Sequence, residues 1–359
     1  PQRGRAIVSR GRLRMHHVII QNIYHPVGGG AAIFFDSQGS RLDGSGYPVA
    51  ISDLCLTAIK SSTIVYFHTN DHHSFSENIY DVNFRRVEIF NCSTKDDPVG
   101  GTIRSVGGVK SNLVLNACRI HDNESAYGGA IVWNAGNGTT CILKIIGDTK
   151  IYNNTALQNG GGISTMSTID LQSVEIYGNS AKNGGGISVL TYDGFQDAYS
   201  GDGFGVIISD GVSIHDNYAS DVGGGIYMSF QASNDVGFDS SGNPISPNFE
   251  FNMTGGSVYN NHAPTGAGVA IVDRAPNRHK NNSQYLQNGG NIPNPAYGKW
   301  SGEYVRNVYI SGGNIYNNTP VSGSTSTRGA GVFISKAKAA NIENGSIGYT
   351  YGTAITGGG

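Results

Sequence analysis

One short phrase recurs along this chain and restricts it to very few folds. It reads as an apolar residue, an aromatic or His, any residue, Asn, any residue and a small residue; after a spacer come glycines and an apolar stretch. The copies are IHDNES from Ile120, IYNNTA from Ile151, IYGNSA from Ile176, IHDNYA from Ile214, VYNNHA from Val258 and IYNNTP from Ile315. Six such copies do not arise by chance. A degenerate seventh, IFNCST from Ile89, puts Cys92 in the Asn slot, and IQN at 20–22, followed by GGGAAI at 28–33, reads as an eighth.

The glycine-rich returns are GGTI at 100–103, GGAI at 128–131, GGGI at 160–163, 184–187 and 223–226, and GAGV at 266–269 and 329–332. The apolar residues that end them, from Ile103 to Val332, stand 28, 32, 24, 39, 43 and 63 residues apart. A helical repeat loses its buried face when its period varies so widely. Stacked β-coils keep theirs, because each coil is a few short strands joined at corners where loops bulge outward.

The repeat that starts at Gly160 shows a coil stripped of insertions: GGGISTM, then TIDLQS, then VEIYGN. Each piece alternates inward and outward side chains, with Ile163, Ile169, Leu171, Val174 and Ile176 inward. At a rise of about 4.8 Å per coil, parallel strands pair between coils and satisfy the backbone inside the stack. The expected fold is therefore an all-β parallel β-helix, a β-solenoid of three short strands per coil with loop insertions at its corners. We expect one such domain over 19–359, with 1–18 as a basic N-terminal segment or cap. TAITGGG at 353–359 repeats the opening of a coil, so further repeats in a longer chain, or end-to-end or lateral self-association, are expected.

An inward position at a corner faces unpaired backbone groups, and an Asn side chain offers them both donors and an acceptor. Asn123, Asn154, Asn179, Asn217, Asn261 and Asn318 are expected to stack there as an internal ladder. The residue before the corner is Phe90, His121, Tyr152, Tyr177, His215, Tyr259 or Tyr316, and these should stack into an external stripe. Such a stripe stabilises neighbouring strands. It is also a candidate surface for sugar rings or a partner protein, since Tyr carries an apolar plane and a polar tip.

Composition excludes several classes. A formal charge of −2 with only 14% charged residues gives no reason to expect a nucleic-acid partner. The exception is local: Arg3, Arg5, Arg10, Arg12 and Arg14 precede the first acid, Asp36, and read as a solvated end piece or an anion-binding arm. No run of 18 apolar residues marks a membrane span, and the first residues lack the apolar core of a secretion signal. Cys55, Cys92, Cys118 and Cys141 show no zinc spacing; Cys92 and Cys118 fall in inward slots that suit buried thiols. Asn-x-Ser/Thr sequons at Asn91, Asn123, Asn137, Asn153, Asn252, Asn281, Asn317 and Asn344 permit glycosylation without requiring it.

Evidence for catalysis is thin. Asp96-Asp97 is the only adjacent aspartate pair, and RAPNR at 274–278 is one residue short of the RxPxxR pattern of pectate lyases, leaving Arg274 and Arg278 as the candidates for a lyase. His121-Asp122 and His215-Asp216 occupy slots where neighbouring coils carry Tyr-Asn or Tyr-Gly, which points to a surface corner rather than a dyad. DHH at 71–73 and MHH at 15–17 offer transition-metal ligands, but adjacent residues of a strand point to opposite faces. No metal site and no cofactor are therefore assigned.

In its GGAI at 128–131 and its [IV]-x-x-N copies the chain resembles the right-handed parallel β-helix repeats of bacterial surface proteins. It is similar above all to the polymorphic outer-membrane proteins and adhesin-like autotransporter passengers, with their GGA[ILV] and FxxN signatures; here Ile or Val replaces the Phe. The resemblance runs from about residue 19 to the end, with 34–85 and 228–250 matching poorly. It implies right-handed coils and an extracellular or cell-surface location. The expected function is a non-catalytic structural or adhesive surface protein or fibre component, with a host or cell-surface glycan or protein as partner. The alternatives are a polysaccharide lyase or glycoside hydrolase of the β-helix type, and a carbohydrate-binding module. The inserts 190–205, 228–250 and 273–307 are the expected recognition loops.

Overall fold

The computed structural model describes residues 5–9, 13–25, 30–36, 47–68, 80–98, 100–106, 111–133, 142–190, 205–230, 249–273, 305–321, 328–335 and 337–348. They form a right-handed parallel β-helix, and every strand pair is parallel. One face, which follows the glycine returns, is a 10-stranded sheet from Arg5–Ser9 to Val332–Ser335. Two further faces form a continuous 18-stranded sheet, because the long strands Leu13–Gln21 and Tyr47–Thr57 run through both. After them the chain breaks at the corner, so Tyr47–Thr57 pairs with Tyr80–Arg85 along one half and with Glu88–Phe90 along the other. A short 4-stranded sheet closes the fourth edge in the coils of Glu124, Thr155, Ser180 and Tyr218.

The spacing rule holds residue by residue. Ile103, Ile131, Ile163, Ile187, Ile226, Val269 and Val332 are register partners in succession, although 24 to 63 residues separate neighbours after the third. The same row continues upstream through Val65 and Ile33 to Ile7. A second row runs Ile20, Leu56, Ile89, Ile120, Ile151, Ile176, Ile214, Val258, Ile315 and Ile347. These rows meet in one apolar core along the axis. Phe35 and Phe67 stack within it at 4.5 Å, with Trp133 edge-on to Phe67.

Strand Leu13–Gln21 runs across the boundary expected after residue 18. Arg5–Ser9 and Leu13–Gln21 pair as ordinary strands of the first described coil, and the Arg5 guanidinium lies 3.3 Å from the centroid of the Phe34 ring. Nor is 34–85 an interruption: its strands Thr63–His68 and Tyr80–Arg85 sit in register in the stack. Those coils escape the motif because apolar residues fill the corner slot that Asn fills later.

Two glycine positions explain the return. Gly160 has φ +67°, in the left-handed region where a side chain is strained, and a Cβ on Gly161 would strike the carbonyl oxygen of Gly185 in the next coil. The glycine face also departs from simple alternation. Ile187–Leu190 is buried on both sides, and outward Leu190, Tyr227 and Ala270 form a second small apolar cluster.

Candidate functional site: an aromatic column beside a buried amide ladder

The six asparagines stack as expected, each 0 or 1% exposed. Asn154 shows the pattern. Its Oδ1 accepts from the backbone N–H and the side-chain amide of Asn123, at 3.2 and 2.9 Å. Its Nδ2 donates to the Ile120 carbonyl (2.9 Å) and to Asn179 Oδ1 (3.0 Å). Asn179, Asn217 and Asn261 repeat these bonds up to Asn318. Every donor and acceptor of the buried amide is used, which removes the penalty of burying it.

Cys92 ends the ladder by imitation: its backbone N–H donates to Asn123 Oδ1 (3.0 Å), and its thiol points at the Phe90 carbonyl (3.3 Å). Burial pushes the Cys92 thiol up to about 12 and that of Cys118 up to about 11. Cys55, Cys92 and Cys118 are free thiols, and Cys141 lies outside the described residues.

The slot between the aromatic and the ladder Asn, which the sequence reading left open to any residue, is tightly constrained. Asn91, Asp122, Asn153, Gly178, Asp216, Asn260 and Asn317 occupy it with φ between 53° and 63° or, for Asn260, 52°. In these seven coils only Asn, Asp and Gly occur there, the residues that tolerate left-handed backbone best. The signal was present in the copies as a restricted alphabet. Upstream, Asn22 and Ala58 hold the same conformation, so Asn22 of IQN is a turn residue, and Ile23 holds the ladder slot.

The seven aromatic residues form one unbroken column. Ring centroids from Phe90 through His121, Tyr152, Tyr177, His215 and Tyr259 to Tyr316 are spaced by 5.1, 4.5, 4.9, 5.1, 4.7 and 5.0 Å, with planes within 10°. The rings therefore turn their faces to one another. A sugar stacking on a ring needs a free face, which the interior of the column does not offer; edges and phenol groups line its outer side. Burial raises the phenol pKa of Tyr152, Tyr177 and Tyr259.

Acidic groups flank both histidines. His121 Nδ1 lies 2.7 Å from Asp122 Oδ2 and its Nε2 3.4 Å from Glu88 Oε1; His215 meets Asp216 at 2.7 Å and Glu175 at 3.2 Å. Lys150 hydrogen-bonds Glu175 and holds its carboxyl below the usual carboxylate range. With faces and nitrogens both engaged, these imidazoles are built into the column.

Other candidate residues separate. Asn123 cannot be both a ladder member and a glycan carrier: it is fully buried and its amide is bonded, so its sequon is silent in the folded chain. Asn91, Asn153 and Asn344 are exposed, and Asn252 and Asn317 are half-buried. Asn137, Asn281, Arg274, Arg278, the 71–73 histidines and most of the three long inserts lie outside the described residues. Asp96 is engaged by Lys60 at 2.8 Å. Among the described residues no helix is long and apolar enough to cross a membrane.

MHH at 15–17 does not alternate as a plain strand does. His17 has φ +51°, at the corner between the two faces of the large sheet, so the chain turns there and the alternation of a strand does not apply. The His16 and His17 rings lie 3.7 Å apart. No protein-family model, curated protein or solved structure matches the chain.

Proposed function

We propose that the chain is a non-catalytic structural and adhesive β-solenoid that works outside the cell, at the cell surface or in a fibre. One observation carries the reading: the residues that recur from coil to coil are engaged in the scaffold. The asparagines satisfy buried backbone, the glycines permit close approach of coils, and the aromatics and histidines stack on each other. Regularity of this kind serves length and stiffness. The adhesin-like passengers that the repeat resembles provide the location, and a glycan or protein on another cell is the partner class. Contact falls to the outer edge of the aromatic column and to the variable corner inserts, where sequence changes without disturbing the stack.

Protease treatment of intact source cells should release this chain, and beads coated with it should adhere to a glycan or cell panel. Retention of the chain inside treated cells would refute the location. Unsaturated or reducing ends released from uronic-acid polymers would refute the absence of catalysis.

A further inference from the structure

We propose that His16, His17 and Asp53 form a binding site for a borderline transition-metal ion such as Zn2+, on the corner between the two faces of the large sheet. His17 and Asp53 stand at the same corner position of successive coils, both with left-handed backbone (φ 51° and 52°), and Arg86 holds that position one coil further on (φ 50°). This turn makes the three side chains converge. One ligand atom from each of the three can be chosen so that all lie within 4.8 Å of one another.

His16 Nδ1 and Asp53 Oδ2 are separated by 3.0 Å. Two ligand bonds of about 2.0–2.1 Å at a tetrahedral angle put their atoms about 3.3 Å apart, so this directly paired couple needs to open by only about 0.3 Å to span a zinc ion. His16 and His17 are exposed, leaving their rings free to close the remaining distance. Ser52 Oγ, 2.8 Å from His16 Nδ1, completes the polar surroundings.

Arg86 positions the carboxylate. Its Nε donates to Asp53 Oδ1 at 2.6 Å and its Nη2 to Oδ2 at 2.7 Å, a fork that keeps Asp53 ionised and fixed in orientation. The carboxyl is held down at about 2. Oδ2 retains a second lone pair, the one available to His16. The guanidinium charge works against a cation, so affinity should fall below that of a closed four-ligand zinc site. Two imidazoles and one carboxylate select zinc, nickel or copper over calcium or magnesium, which require shells of oxygen. The fourth position faces solvent and is left for water or an outside ligand.

Calorimetric titration of the whole chain with Zn2+ in a non-chelating buffer tests the site, with Ca2+ as the control. We expect one zinc equivalent whose affinity falls roughly tenfold or more in His16→Ala, in His17→Ala and in Asp53→Asn, and no calcium binding at these residues. Substituted Co2+ should give the visible absorption of a four-coordinate ion in the parent and lose it in the His16→Ala/His17→Ala double variant. If circular dichroism shows that an alanine variant is misfolded, His16→Gln/His17→Gln keeps the polar corner and serves the same comparison. Equal zinc affinity and equal cobalt spectra in the parent and a folded double variant would overturn the site, leaving a corner held by hydrogen bonds alone.

Discussion

At the scale of single residues, the amide ladder concentrates stability in a few buried atoms. Asn179→Ala would leave the Asn154 backbone N–H, one Asn154 amide hydrogen and the Ile151 carbonyl without their partner. At about 1–3 kcal/mol for each buried group left unpaired, partly relieved by relaxation, the loss should be about 3–5 kcal/mol, read from the denaturant midpoint. Left-handed turns give a different signature. Asn153→Val should cost about 1–2 kcal/mol while Asn153→Gly stays near neutral, because only the β-branched side chain opposes φ 53°. Cys92 and Cys118 should resist thiol reagents at pH 8 until the chain unfolds. Their raised folded pKa values also set the sign of a pH effect. Below the ordinary thiol value of 9.0 folded and unfolded chains both hold the proton; as pH rises from there toward about 12 for Cys92, the unfolded chain releases it first and stability falls. Replacing Cys92 by Ser should flatten that part of the pH profile. The sequence marked the asparagines clearly because their slot admits one solution. It hid the turn slot, where Asn, Asp, Gly and, at 58, Ala satisfy the same backbone, and the upstream ladder, where Ile59 buries an apolar group and needs no partner.

Elements here are short, and their strength comes from the rows they form across coils. Strands such as Ser213–His215 and Ser257–Tyr259 have three residues each and would not persist alone. They persist because each pairs on both sides and adds a side chain to a row. The aromatic column is one such row, and Tyr177 sits near its middle, stacked on Tyr152 and His215. Tyr177→Ala removes both contacts and should cost about 1–2 kcal/mol in urea unfolding. Tyr316→Ala, at the described end of the column with one stacked neighbour, Tyr259, should cost about half as much. The stripe was legible from a single repeated slot, and so was its outward side. Its ring orientation was not: spacing along the chain says nothing about χ angles, and coils about 4.8 Å apart bring parallel rings face to face. For that reason edges and hydroxyls, rather than ring planes, are what a partner meets along the column.

On the scale of the whole molecule, stability in a solenoid is close to a sum of coils and the interfaces between neighbours. Deleting residues 163–186 removes one uninterrupted coil and joins Gly162 to Ile187, its equivalent return. The shortened chain should fold, with its β signal in circular dichroism kept and its length in small-angle scattering reduced by about 4.8 Å. Deleting only 163–174 should destroy register and abolish cooperative unfolding. The sequence by itself determined the coil, its period and the inward rows, because burial of apolar residues and satisfaction of buried amides leave few patterns for a stack to use. Only the tertiary structure decided that Arg5–Ser9 and Leu13–Gln21 pair into the stack, that Asn123 is closed to a glycan, and that His16, His17 and Asp53 share a corner. Each of those depends on which coil lies over which, and pairing between residues about 30 positions apart leaves no mark on either segment alone.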